Sequence, residues 1–424
     1  MRIMNPNSQD RRAKLLLTGS LAILWAGVFA PVAQAENLVN AQVNASMDGG
    51  GTAEVPSTYL LTDGFARTGL KETYVGRNDP YNSFRIEEGA SATSTEISYI
   101  GFNVGSDGNR AVVTGVGSRW TITKKSLSVG LRGSHNSLEI SDGGQVLTAG
   151  GNYVGGSGHF NTATITGAGS NWTAQAGDIG IGSGGVSATS TNNQVFVLDG
   201  GLLQAPGNGF IGQGSAATAN QVTVDGVGSR WVNGGTLIIG KLSASGNHLT
   251  VSNGGFVSNT AGTVGEDYTQ NNSTTVTGAG SIWENTGTLL IGAGSNLLTV
   301  ADGGLVSVEG STLSINSGSY LRLDGGFLAW SGNRESSFAN LVTLGRVQLF
   351  DGSAWVTAAA DELRWDYLAT DAAAEAFTGG LYDGLGGYTI LSTIAVPEPS
   401  TYALIGIGLA LMLFKLRQRR ARIV

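Results

Sequence analysis

The sequence predicts an all-β protein: a parallel β-helix (solenoid) of about nine to ten coils with a cap at each end. Three observations carry that expectation. An asparagine anchor recurs nine times, at Asn82, Asn109, Asn136, Asn161, Asn193, Asn220, Asn247, Asn272 and Asn296, with spacings of 27, 27, 25, 32, 27, 27, 25 and 24 residues. Mostly apolar residues follow each anchor at the second and fourth places, as Leu138 and Ile140 follow Asn136. Glycine closes each run, and no stretch between residues 73 and 328 shows sustained helical periodicity. A fixed period with one supersecondary unit per repeat implies stacked coils. Alternation with period two is the strand signature, with one face buried. A unit of about 27 residues holds two or three short strands and their corners. Nine such coils at ~4.8 Å give a rod about 43 Å long.

Residues 1–35 read as a secretory signal peptide. Arg11, Arg12 and Lys14 form the basic start, residues 15–29 the apolar run, and Ala33 and Ala35 frame a small-x-small cleavage site. Residues 36–72 lack the repeat and read as an N-terminal cap, because a bare terminal coil would expose strand edges.

Within the repeat domain, 73–328, two kinds of repeat alternate. One ends in a paired glycine, at Asp142-Gly143-Gly144, Asp199-Gly200-Gly201, Asn253-Gly254-Gly255 and Asp302-Gly303-Gly304, with Glu88-Gly89-Ala90 a degenerate copy. The other ends in Gly-x-Gly-Ser-x-Trp and places Trp120, Trp172, Trp231 and Trp283 each 11 residues after its anchor. A β-branched residue before glycine precedes most anchors, Val104-Gly105 and Ile239-Gly240 among them. Stacked coils would bring the nine Asn into an internal ladder of amide hydrogen bonds. They would bring the four Trp into an aromatic column, either packed at a corner or facing solvent to bind sugar rings.

Residues 329–395 leave the pattern and read as a C-terminal cap. A helix is expected over residues 358–376, between strand-like runs at 341–350 and 387–392. Asp361, Glu362, Asp366 and Asp371 there read as solvated charges on a helix face.

The remaining segment, 396–424, has three parts: Pro397-Glu398-Pro399, an apolar run at 402–414, and a basic end with Lys415, Arg417, Arg419, Arg420 and Arg422. The apolar run, extended to residues 401–416 with snorkelling ends, reads as a transmembrane segment whose basic flank stays cytoplasmic. This order of parts resembles the PEP-CTERM sorting signal of Gram-negative bacteria. The resemblance implies an exosortase, a membrane cysteine protease, as partner. It also implies a protein anchored transiently in the inner membrane, then delivered to the outer surface or to an exopolysaccharide and biofilm matrix. The repeats look like the Gly-Ser-x-Trp repeats shared by autotransporter passengers and PEP-CTERM proteins, which are also held to be β-helical.

Composition narrows the function classes. The chain has 67 Gly, no Cys and three His in 424 residues, so neither a disulfide framework nor a thiolate metal site is expected. Of its 24 Lys and Arg, nine lie in the two flanking signals, which leaves 15 against 29 Asp and Glu in residues 36–396, a net charge of −14. An acidic body disfavours nucleic acid and leaves extracellular polysaccharide as the candidate ligand. His135, His159 and His248 have no metal-ligand spacing, and no nucleophile elbow or P-loop is present. No catalytic residue, metal or cofactor is expected. The reading is a non-enzymatic structural or adhesive surface protein. Its alternative is a β-helix polysaccharide lyase or glycosidase, which would need a non-repeating carboxylate cluster on one face.

Overall fold

The computed structural model describes residues 33–34, 43–47, 49–53, 55–184, 189–266 and 269–394. The chain is all-β, about 6% helix, and winds into a parallel β-solenoid of about 11 turns. Each turn has three faces. In the coil that begins at Asn136 they are Ser137–Ser141, Gln145–Thr148 and Asn152–Val154. Each strand pairs in parallel with its equivalents one coil before and one coil after. Leu138 thus faces Ala111 and Ala163, and Val146 faces Trp120 and Trp172. The first face belongs to a 14-stranded sheet, and the other two join in a 23-stranded one.

Alternation along each strand decides what points inward. In Thr162–Thr166 and Asn171–Ala174 the second and fourth residues are buried, and in Asn152–Val154 the first and third. Repeated along the axis, this builds one continuous core from Leu61 to Leu391. The outward positions are rich in Ser, Thr and Gln, so the coils enclose an apolar interior without any helix to cover them.

The solenoid reaches beyond the stretch marked by asparagine. Ser57–Leu61 and Ala66–Val75 form a coil ahead of Asn82, inside the segment the sequence reads as a cap. That coil has no Asn anchor, which is why the repeat does not announce it. Val43–Met47 lies one step further out and pairs in parallel with the second half of Ala66–Val75. At the other end, Val347–Phe350 adds one more parallel strand to the first face. The stack then closes by a change of direction. Tyr388–Thr393 runs antiparallel to Phe327–Ser331, and Leu363–Leu368 runs antiparallel to Tyr388–Thr393. Antiparallel closure ends the growth of the parallel ladder.

The helix expected over 358–376 is not formed as one element. The stretch divides into a 3₁₀ turn at Ala360–Glu362, the strand Leu363–Leu368 and a helix at Asp371–Thr378. Its alanine-rich ends favour helix, but Leu363, Trp365 and Tyr367 between them alternate and pair in the sheet, and tertiary pairing overrides propensity there. Thr370 caps the helix by accepting from the Ala373 amide, and Gly379 ends it in the left-handed region. A second helix, Glu335–Thr343, overlaps the start of the strand-like run at 341–350. It buries Phe338 and Leu341 against the last coil, with the Phe338 ring edge-on to Trp330 at 6.0 Å.

Candidate functional site

The nine anchor asparagines are buried and in contact with one another in order. The Oδ1 of Asn109 accepts from both the backbone N–H and the Nδ2 of Asn82, at 2.8 and 2.9 Å. Asn136 does the same for Asn109, at 2.9 and 3.0 Å, and the pattern continues to Asn296. Ser319 then takes the acceptor's place, at 3.0 Å from the Asn296 amide, and the Gly49 amide donates to Asn82 at the opposite end. The Nδ2 of most anchors also reaches a nearby backbone carbonyl, as Asn296 reaches Ala293 at 2.8 Å.

A glycine before most anchors has a partner in this ladder. A Cβ on Gly240 would collide with the Asn272 amide, and one on Gly130 with that of Asn161. The glycine ahead of one anchor therefore makes room for the next anchor's side chain. Val104-Gly105 does not hold this place. Val104 is 81% exposed and Gly105 faces open space, while Gly101 meets Asn136.

The four tryptophans face inward. Trp120, Trp172, Trp231 and Trp283 are at most 1% exposed, so they offer no surface to a sugar ring. Along the same inward row they alternate with Val146, Leu203 and Val257. Each sits one coil after a small or polar inward residue on the third face. Gly209 leaves space at the Trp231 ring, and Gly262 leaves space at Trp283. Ser98 and Asn152 occupy the equivalent places below Trp120 and Trp172, whereas the Trp-bearing coils carry Leu127, Ile179, Leu237 and Leu289 there. The final coil has Leu328 in the Trp row, and the coil before it has Leu313 in the small place.

The serine of each Gly-x-Gly-Ser corner is the second link between coil types. The hydroxyls of Ser118, Ser170, Ser229 and Ser281 each accept, at 3.0 Å, from the first glycine N–H of the paired-glycine corner one coil earlier. The corner carboxylates accept from hydroxyls: Thr114 donates to Asp142 and Thr277 to Asp302.

The histidines are dispersed. The His135 ring stacks on Phe160 at 5.0 Å, His159 pairs with Thr191, and His248 pairs with Ser273. Burial holds the His248 imidazole below its ordinary value. Among the described residues no three His, Asp or Glu converge as a metal site would require. Asp361 and Glu362 lie in the 3₁₀ turn, Asp366 on the strand and Asp371 at the helix start. Glu362 accepts from the Ala359 amide and Asp371 from that of Gly386, so both serve the local backbone.

The outer third face carries a feature that the sequence does not reveal. Tyr74 and Tyr99, in successive coils, stack at 5.2 Å and 14°, and Phe102 meets both rings edge-on. Ser128 holds the next outward place and Tyr153 the one after. A cleft of about 310 Å³ opens between Tyr99 and Tyr153. Burial raises both phenols above their ordinary range, with nearby Glu72 and Asp178 adding to it. The three-residue strands Ser98–Ile100, Leu127–Val129 and Asn152–Val154 are too short to display their outward row by periodicity.

The cleavage and sorting signals stand apart from this geometry. Ala33 lies in the strand Ala33–Gln34, which pairs with Tyr59 and Leu60; cleavage after Ala35 would remove that strand. Ala35, Pro397, Glu398, Pro399 and the apolar run lie outside the described residues. Among the described residues, no helix is long and apolar enough to cross a membrane.

No solved structure matches the chain. One stretch of 153 residues, 34% of this chain, is 35% identical to the adhesin BmaC autotransporter of Brucella suis biovar 1 (strain 1330), and covers 4% of that protein's length. At the C-terminal side, residues 395–420 match the PEP-CTERM protein-sorting motif, which implies processing by an exosortase.

Proposed function

We propose that this protein is a non-enzymatic rod, exported, held briefly in the inner membrane by its tail, and passed by an exosortase to the outer surface or the extracellular matrix, where it acts as a structural or adhesive element. The observation that carries the reading is the sorting motif at residues 395–420, which follows directly on the strand Tyr388–Thr393 that closes the solenoid. The identity shared with part of an adhesin supports the adhesive half. The regular coils, with no long inserted loop among the described residues to build a catalytic cleft, support a body without catalysis.

The test is the intact mass of the native protein in inner-membrane, outer-surface and medium fractions. We expect a species ending near residue 397 outside the inner membrane. Replacing Pro397, Glu398 and Pro399 with alanine should retain the chain in the inner membrane without changing its thermal melting. Unaltered release of that variant would sink the sorting reading.

A further inference from the structure

We propose that the cleft between Tyr99 and Tyr153 is a binding slot for one ring of a neutral polysaccharide, with the Ser128 hydroxyl as its floor; this rests on the reading of the protein as a matrix element and deepens it. The spacing suits a ring. Tyr99 and Tyr153 stand two coils apart, roughly 9.6 Å at twice the ~4.8 Å strand spacing. A ring sandwiched between two others needs about 7–8 Å, twice a contact of ~3.5–4.0 Å. Both tyrosines have their other faces occupied. Tyr99 stacks on Tyr74. Tyr153 lies over Gly180, where an added Cβ would come within 3.1 Å of its Cδ1. The coil between them contributes only Ser128 to this row, so the row Tyr74, Tyr99, Ser128, Tyr153 lacks one ring.

The floor points to a hydroxylated ligand. Ser128, 4% exposed, lines the cleft, and its Oγ is buried without a hydrogen-bond partner among the described residues. A buried hydroxyl left unpaired forfeits its hydration, and a ligand hydroxyl would restore the lost hydrogen bond. Ser126 and Ser157 add two hydroxyls at the sides, and Leu131 an apolar contact. Among the described residues no charged side chain lines the cleft. Apolar ring faces with hydroxyls at the edge are what a pyranose presents, and the lack of a cation disfavours uronic acids. The volume sits at the small end of ligand sites, as a slot for one residue of a chain should.

Calorimetric titration of the full-length protein in mild detergent tests this, with cellotetraose, maltotetraose and mannotetraose as neutral probes and hexagalacturonate as the acidic one. We expect at least one neutral probe to bind. Ser128→Tyr, which places a ring in the gap on a strand position that favours aromatics, should weaken that binding about tenfold or more at unchanged melting temperature. Tyr153→Ala should weaken it too. Binding of no neutral probe, binding of hexagalacturonate alone, or equal binding by Ser128→Tyr would each overturn the slot. None of these bears on sorting, which the mass measurement decides separately.

Discussion

At the scale of single residues, the anchor asparagine does three things at once. Its Oδ1 accepts two hydrogen bonds from the preceding anchor, its Nδ2 passes one on, and its side chain fills the space a glycine leaves. Asn136→Leu keeps the branched shape but orphans the buried N–H and Nδ2 of Asn109. At about 1–3 kcal/mol for each orphaned group, the variant should lose roughly 3–5 kcal/mol in denaturant unfolding. Melting equal to wild type would refute the ladder's contribution. The glycines separate into two classes. Gly240→Ala would drive a methyl into the Asn272 amide and should cost about 3 kcal/mol or more. Gly246→Ala, at φ +66° with its nearest neighbour 4.0 Å away, should cost only about 1 kcal/mol. Equal costs for the two would mean that backbone angle, and not the asparagine, explains the glycine mark. The ladder's spacing is legible in the sequence because each rung is one residue type. The aim of the tryptophans is not, because a corner aromatic packs inward or outward depending on which neighbours are small, and those neighbours lie a coil away.

At the scale of elements, the repeat is legible and its ends are not. Repeats announce themselves by copying, while a terminal segment solves a closure problem once. Besides the pairing of Tyr388–Thr393 with Phe327–Ser331, one hydroxyl ties the C-terminal segment to the last coils. The Tyr382 phenol donates to the Gly303 carbonyl at 2.6 Å and accepts from the Gly280 amide at 3.2 Å, so it spans two successive corners. Burial pushes its pKa up to about 12, the direction expected for a phenol held away from water. Phe327 packs edge-on to its ring. Tyr382→Phe retains that contact and removes these hydrogen bonds together with the hydroxyl's contact to the Ser281 carbonyl at 3.2 Å. Hydrogen exchange should then quicken across residues 371–393, with amides in the central coils unaffected. Protection unchanged in 371–393 would show that strand pairing and apolar contacts hold the segment without the hydroxyl.

At the scale of the whole molecule, the structural unit is a pair of coils. The Ser of one kind of corner caps the glycine of the other, and the Trp of one kind of coil occupies the space the other leaves. The sequence displays this alternation, but only the register shows that the halves interlock. The sorting motif and the asparagine ladder occupy separate stretches of the chain, so a variant of Pro397-Glu398-Pro399 and a variant of Asn136 should have separable effects.

Interlocking pairs also constrain how such a gene can change length. Removing residues 193–219 would leave the Trp172 coil directly below the Trp231 coil. Two indoles would then meet at one strand spacing, with Ile179 where Gly209 had made room. Removing 193–246 would instead set the Val257 coil on the Trp172 coil and keep the two kinds alternating. Rods of this kind should therefore grow and shrink by unequal recombination in steps of two repeats. Alternate anchors lie 49 to 59 residues apart, and length variants in a lineage should differ by steps of that size. The same rule names the safe place to cut when shortening the rod: between matched pairs, never within one.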